Sequence, residues 1–271
     1  PTFMMIVERL ETMRPSTAHD EQLQQQSSTT VALSRFASVT LTEIEAVDNL
    51  RKVLPALSTA PSYIGGSVAL LRVVRYCSTA ALGIQYVRTM LQLRAKLCSD
   101  AKASEMLEQE LSLHTLPGKL EMQAASWETN EFVGASKKGD MIAYERWGAI
   151  NPAQFLNDVP IEDFVKFLTY RVEARAICLD LLSRRTRQLV NLGQVLDFKG
   201  VTLAHRKLLP YIKAFVAGEY GFTVPFFTTT YCVGANSVAA GIFNVAKKLF
   251  FNENQKRSSF IFPGSNPFAI S

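Results

Sequence analysis

The chain is poor in the side chains that build metal and redox centres. Its 271 residues include three histidines, at positions 19, 114 and 205, and four cysteines, Cys77, Cys98, Cys178 and Cys232. The histidines stand too far apart for an HExxH site. No two cysteines form a CxxC, which excludes a zinc knuckle or a thioredoxin-type motif, and a disulfide framework does not suit a chain this long. They read as small buried hydrophobes in a reducing compartment. Phosphate-cradling loops are missing too: there is no P-loop, and no glycine fingerprint follows the first strand pattern. No serine sits in a Gly-x-Ser-x-Gly elbow, and Asp140 with Glu145 makes no paired-carboxylate site. No catalytic residue, metal or cofactor is therefore expected, and the chain reads as a binding module rather than an enzyme.

Charge of one sign is scarce as well. Twenty-nine basic residues against 24 acidic give a net +5 and a pI near 9.0. That excess is too mild to argue for nucleic acid, and none is expected as a partner; an anionic membrane surface suits it equally. Pro1 to Leu10 has no apolar run leading into small residues and does not read as a signal peptide. What the chain does have is apolar material. At 48% hydrophobic and 10% aromatic, it can bury a sizeable core in one large domain, or in a domain with a small helical cap.

One stretch raises the membrane question. No residue from Tyr220 to Ala246 is charged, a run longer than the roughly 20 residues of a spanning helix. Pro225, Gly221, Gly234, a set of threonines, Asn236 and Asn244 argue against one, because hydrocarbon would leave their polar groups unpaired. The stretch splits instead. Phe226 to Val233 is aromatic and β-branched, as strands are. Gly234-Ala235-Asn236-Ser237 is a turn ending in an N-cap. Val238, Ile242, Val245 and Leu249, with Ala239, Phe243, Ala246 and Phe250, then recur at helical spacing as a broad apolar stripe.

The remaining order follows from periodicity and breakers. Residues 1–39 form a polar segment, Gln-rich and low in complexity between 16 and 31, and read as mobile. Residues 40–117 form a helical lobe. Leu41 to Leu57 is helical in pattern, with Thr40 or Thr42 and Glu45 as a capping signal. Two helices joined near Ser78 to Ala81 fill Leu70 to Arg94. Residues 118–271 change grammar. Met141 to Arg146 reads as a strand, and Pro160 opens a long helix. Gln188 to Leu196 reads as a strand, Leu203 to Val216 as a helix, and Ser259 to Phe262 as a last strand. The β-α-β-α-β sequence predicts an α/β fold, a helical N-terminal lobe followed by a mainly parallel sheet with right-handed crossovers. Within it, Asp197 reads as a structural carboxylate capping the turn after its strand, and His205 as a capping or surface residue.

Three stretches resemble the CRAL-TRIO lipid-binding family, of the phosphatidylinositol/phosphatidylcholine transfer type. Leu70-Leu71-Arg72-Val73-Val74-Arg75, continuing to Leu91-Gln92-Leu93-Arg94, is similar to the family's N-terminal LLRFLR…LxWR pattern. Tyr144-Glu145-Arg146-Trp147-Gly148-Ala149-Ile150-Asn151-Pro152, with Tyr170-Arg171-Val172-Glu173 after it, resembles its YxERxGxIDP and YxxE motifs. Val195 to Val201, with Asp197-Phe198-Lys199-Gly200, resembles its hydrophobic-DLKG signature. Their order and spacing span about residues 40 to 264.

The resemblance implies a sheet enclosing an apolar cavity, closed by a mobile lid helix at Val238 to Phe250. It implies a ligand-binding set of Tyr144, Leu192, Gln194, Leu196, Thr228, Thr230 and Cys232 from the strands, and Ile242, Phe243 and Ala246 from the lid. Lys247 and Lys248 would touch membrane. The implied partner is a lipid or other hydrophobic small molecule. The implied function is intracellular transfer or sensing of it, most simply of a phospholipid, by a cytoplasmic protein peripheral on membranes. Val224-Pro225-Phe226 and Ser259 stand where phosphatidylinositol-binding members carry an acid and a strand lysine, so the resemblance assigns no particular headgroup. The alternative expectation is a divergent domain with a filled cavity, serving as a protein-interaction scaffold.

Overall fold

The computed structural model describes residues 29–34, 36, 38–109, 115–214, 223–250 and 259–261. The polar segment up to residue 28 with His19, and also His114, Val216 and Phe262, lie outside the described residues. Contacts divide the chain into two compact units. One holds residues 1–113, 169–190 and 221–226, the other residues 114–168, 191–220 and 227–271.

The first unit is helical among its described residues. Its helices are α1 (Thr29–Leu33), α2 (Leu41–Val53), α3 (Ser62–Gly65), α4 (Ser67–Tyr76), α5 (Ala80–Leu97), α6 (Ser99–Glu108) and the larger part of α9 (Ile161–Thr186). Thr29 and Thr30, assigned above to a mobile segment, open α1; Thr29 is buried and accepts from the Arg51 Nη1 at 2.7 Å. A capping box starts α2, but its acid is Glu43 rather than Glu45. The Thr40 amide donates to Glu43 Oε2 at 2.9 Å, and the Glu43 amide donates to Thr40 Oγ1 at 3.2 Å. The box is geometric: only the third helical residue can reach back to the cap amide. Ile44, Val47 and Leu50 bury one face of α2, at helical spacing. Thr79, in the joint foreseen between α4 and α5, caps α5 by accepting from the Leu82 amide.

The interior of this unit is stitched by charge. Arg72 is buried and donates to the Val190 carbonyl at 2.5 Å and the Ser183 hydroxyl at 2.9 Å. Arg94 is buried and pairs with Glu173 at 2.6 Å and Asp100 at 2.5 Å, while the Tyr63 hydroxyl donates to Glu173 at 2.6 Å. Burial pushes the Glu173 carboxyl up, and the Arg94 guanidinium works against that shift.

The second unit is built on a five-stranded sheet in the order β1-β2-β3-β4-β5. The strands are β1 (Glu128–Ala135), β2 (Met141–Arg146), β3 (Leu192–Asp197), β4 (Phe227–Val233) and β5 (Ser259–Ile261). β2 to β5 are mutually parallel, as the alternating grammar requires, and β1 pairs with β2 antiparallel. Strand β1 has no counterpart in the sequence reading. Its first half, Glu128 to Glu131, is polar, and Phe132, at φ +51°, breaks the alternation in a bulge. β3 begins four residues later than expected. Residues 188–191 follow α9 as irregular chain tied elsewhere: the Val190 amide donates to Ser183 Oγ on α9, and the Asn191 amide donates to Asp140 Oδ1.

Helix α7 (Lys119–Ala124) precedes β1, and between later strands lie α8 (Pro152–Asp158), the start of α9, a 3-10 segment (Leu203–Leu208) that becomes α-helical over 209–214, and α10 (Ser237–Phe250). Pro210 explains the 3-10 start. It has no N–H to offer the Arg206 carbonyl, which accepts from the Leu209 amide instead. Trp127 centres an aromatic cluster, with ring centroids 5.5 Å from Trp147, 5.2 Å from Phe164 and 5.8 Å from Phe167. The split expected after Tyr220 is present as β4 and α10. Among the described residues, no helix is long and apolar enough to cross a membrane.

None of the four cysteines is in a disulfide, and they differ in exposure. Cys232 is buried, and desolvation pushes its thiol up to about 12; half-buried Cys77 rises to about 11. Cys98 corrects the expectation of burial. It sits exposed at φ +51°, the left-handed residue that ends α5, where the chain must turn away.

Candidate functional site

Parallel pairing puts strand residues of equal parity on one face, and the register makes that face explicit. Leu192 pairs with Met141, Gln194 with Ala143 and Thr230, and Leu196 with Glu145 and Cys232. All eight are buried. Five residues of the expected ligand set, Leu192, Gln194, Leu196, Thr230 and Cys232, thus form one contiguous patch.

Two others do not join it. Tyr144 lies opposite Val195 and Asn130, on the other face, and its hydroxyl donates to Asp197 Oδ2 at 2.7 Å. That hydrogen bond to a carboxylate pushes the Tyr144 phenol up. Thr228 is exposed, because a bulge sets Phe227 opposite Leu192 and Thr230 opposite Gln194, leaving two residues against Gly193 alone. The second face is half open throughout: Ile142, Val195, Thr229 and Val233 are partly accessible and Tyr231 is exposed.

The closed face carries one polar feature, which the sequence reading passed over. Glu145 is fully buried; it accepts from the Gln194 amide group at 2.7 Å through Oε1 and from the Trp147 indole at 3.0 Å through Oε2. A buried carboxylate with both oxygens engaged costs little, whereas an unpaired one would be expelled. The signal available was parity: Met141, Ala143 and Glu145 alternate with Ile142 and Tyr144 along β2.

The C-terminal ends of β2, β3 and β4 meet in a tight polar junction. Asp197 caps the turn after β3, accepting from the Lys199 amide at 2.8 Å, as its position suggested. A Cβ on Gly148 would lie 2.1 Å from the Lys199 carbonyl oxygen, so only glycine fits there. Gly234, at φ +64°, packs against Asp197 and Lys199 in the same way. His205 caps the next segment, its Nδ1 accepting from the Thr202 amide at 3.1 Å, and burial holds its imidazole below the ordinary range. Asn236, one residue before the expected Ser237, is the cap of α10. Its Oδ1 accepts from the Ala239 amide at 2.8 Å, and its Nδ2 donates to the Val201 carbonyl at 2.8 Å.

Right-handed crossovers between neighbouring parallel strands taken in sequence order place their connecting helices on a single side of the sheet. α10 therefore lies on the same side as α8 and the 3-10 segment, which it touches. Along α10, Ala239 and Ala246 are buried, Ile242 and Phe243 half-buried, and Val245 and Lys248 exposed. The Lys247 side chain lies outside the described residues. Among the described residues, no group of His, Cys, Asp and Glu could hold a metal ion.

By sequence, no family model and no curated protein matches the chain. Structure reaches further. A crystal structure of Sfh5 is similar to the chain with a TM-score of 0.55, at 16% identity over 84% of this chain and 82% of that one. The fold is Sec14-like. In this Sec14-like fold, the stretches that carried the CRAL-TRIO resemblance are the ones that lock each unit. Arg72, Arg94 and Glu173 build the charged interior of the first; Glu145, Gly148 and Asp197 close the strand ends of the second.

Proposed function

We propose that the chain binds and transfers, or senses, a hydrophobic ligand of the phospholipid class, held on the closed face of the sheet with α10 as its lid. The observation that carries the reading is the contiguous buried patch of Leu192, Gln194, Leu196, Thr230 and Cys232 on one face of a Sec14-like sheet. Its paired Gln194 and Glu145 leave no polar group seeking water. A two-chain lipid carries on the order of 30 methylenes at about 0.8 kcal/mol each, so exposure to water opposes transfer by roughly 20 kcal/mol. A closed apolar site removes most of that barrier.

The lid follows from how α10 is attached. Gly234 supplies the left-handed turn and Asn236 ties the first turn to Val201, while the half-buried Ile242 and Phe243 lie further along. Displacing α10 about Gly234 would open the patch and leave the sheet intact. On this reading the protein is a carrier and not an enzyme, works in the cytoplasm, and meets membranes transiently.

Organic extraction and mass spectrometry of freshly purified protein should recover a lipid, and the protein should move a fluorescent phospholipid between vesicles. Ile242→Asp with Phe243→Asp should lower transfer on the order of tenfold or more, by making lid closure bury charge. A second reading has its own observation: Leu192 and Cys232 have no accessible surface at all, as a solid interior would require. No recovered lipid together with no transfer would replace the carrier by a filled scaffold domain.

A further inference from the structure

The turn that follows β3 holds two elements at once, both within the second unit. On one side Asn236 Nδ2 donates to the Val201 carbonyl at 2.8 Å, while its Oδ1 accepts from the Ala239 amide at 2.8 Å. A single side chain thus fixes the first turn of α10 to residue 201. On the other side the next amide, that of Thr202, donates to His205 Nδ1 at 3.1 Å, and the Thr202 hydroxyl lies 3.2 Å from the same nitrogen. The 3-10 segment that carries His205 touches both α8 and α10.

This geometry fixes the proton. An Nδ1 that accepts from an amide carries no hydrogen, so the ring is neutral with its proton on Nε2. His205 is only 7% exposed, and its Nε2 is buried on the side of the Ile150 backbone, with no hydrogen bond to a described residue. A second proton would go on Nδ1 and set donor against donor across 3.1 Å. The Thr202 hydroxyl could accept that new N–H, but only at the loss of the amide bond that caps the segment. The charged ring would also be cut off from water, and turning outward relieves both conflicts. The charged residues on the elements around it are Asp158 on α8, Lys248 on α10, Asp197 and Lys199 at the end of β3, and Arg206 and Lys207 on its own segment. None of these holds the imidazole neutral. Burial does, opposed by the Thr202 and Ile150 backbone groups.

We propose that His205 is an acid-released latch on α10: protonation drives the ring from its place against Thr202, slackens the Val201–Thr202 turn and frees the α10 cap that Asn236 ties to it. The latch deepens the carrier reading and rests on it for its purpose. The helix released is the proposed lid, so a bound hydrophobic ligand would leave preferentially at acid pH. The sign follows from where the ring charges more easily. The released ring stands in water and titrates near the ordinary value of about 6.5, whereas the latched ring titrates lower. The latched form therefore has its full advantage above about pH 6.5. It loses ground as pH falls, by at most about tenfold per unit for one proton, until the latched ring titrates too.

Hydrogen exchange of the α10 backbone amides, corrected for the intrinsic rate and compared between pH 7.5 and 5.0, tests the latch with no ligand present. Protection of α10 should fall several-fold on acidification, up to about thirtyfold, while that of β2 and β3 stays constant. His205→Gln keeps an acceptor for the Thr202 amide and does not titrate, so its α10 should be equally protected at both pH values. Asn236→Ala should lower α10 protection already at pH 7.5 and leave little more to lose at pH 5.0. An acid loss that persists in His205→Gln would overturn the latch, and so would an α10 indifferent to pH. Equal loss in β2 and β3 would overturn it in favour of unfolding of the whole unit. Wild-type α10 protection in Asn236→Ala would remove the tie on which the latch acts. Retention of a fluorescent phospholipid at the two pH values reports the carrier reading separately. Release of α10 with the lipid still held sinks the lid and leaves the latch; no lipid bound at pH 7.5 sinks the carrier and leaves the latch.

Discussion

The two units solve the problem of a stable interior with different chemistry. The first buries ions: Arg72 against backbone carbonyls, and Arg94 between Glu173, Asp100 and Tyr63. The second buries rings and close backbone contacts, with Trp127 among Trp147, Phe155, Phe164 and Phe167, and Gly148 against the Lys199 carbonyl. An aromatic cluster tolerates partial loss by degrees, because each contact is a dispersion and area term. A buried ion pair does not: removing one partner strands the other charge in a low dielectric. The difference teaches where each unit is brittle.

The sharpest way to break that comparison is Glu173→Ala, which leaves Arg94 without its main counter-ion. It should destabilise the protein by about 3–5 kcal/mol in urea unfolding. Replacing both partners, as Arg94→Met with Glu173→Leu, should recover much of the loss; a double variant as weak as the sum of the singles would mean that the pair is not the coupled unit described. Trp127→Ala should cost a similar 3–5 kcal/mol, while Trp127→Phe should cost much less, a graded response that Glu173 should not show. Gly148→Ala should destabilise by roughly 1–3 kcal/mol, since the neighbour it meets is backbone and cannot rotate away. A wild-type midpoint for that variant would show that the strand-end junction is looser than its contacts indicate.

The smallest effect is a pH dependence. Burial lowers the His205 pKa in the folded state, so the unfolded chain takes up the proton first. Its contribution to stability is complete above the unfolded value of about 6.5 and declines as pH falls below it, by at most about 1.4 kcal/mol per pH unit, until the folded imidazole also protonates. Urea midpoints measured from pH 7.5 downward should therefore flatten in His205→Gln over this window, at about 1.4 kcal/mol per unit or less. An unchanged slope would assign the pH dependence to other groups.

How much of this was legible beforehand depends on the kind of signal. Strand β2 and the helix break between α4 and α5 stand where local pattern put them, because β-branched runs, caps and prolines act over a few residues. β1 was missed because its segment, polar in its first half and bulged at Phe132, is a strand only by virtue of pairing with β2. The candidate site was half legible. Parity grouped Leu192, Gln194 and Leu196 correctly, yet drew Tyr144 into the same set across the sheet, and the bulge at Gly193 that exposes Thr228 leaves no mark in composition.

By itself, then, the sequence determined the succession of elements and hence a parallel sheet with its helices, since hydrophobic period, caps and breakers are local properties of the chain. It also determined that all the net charge lies between Asp197 and Glu253. Tertiary structure alone decided which face of the sheet is closed, that Glu145 is buried among donors while Cys98 is exposed, and that Arg94 and Glu173, far apart in the chain, form one ion pair. The physical reason is that alternation with period two states which residues share a face but not which face is covered, and a charge declares its sign but not its partner until packing brings the two together.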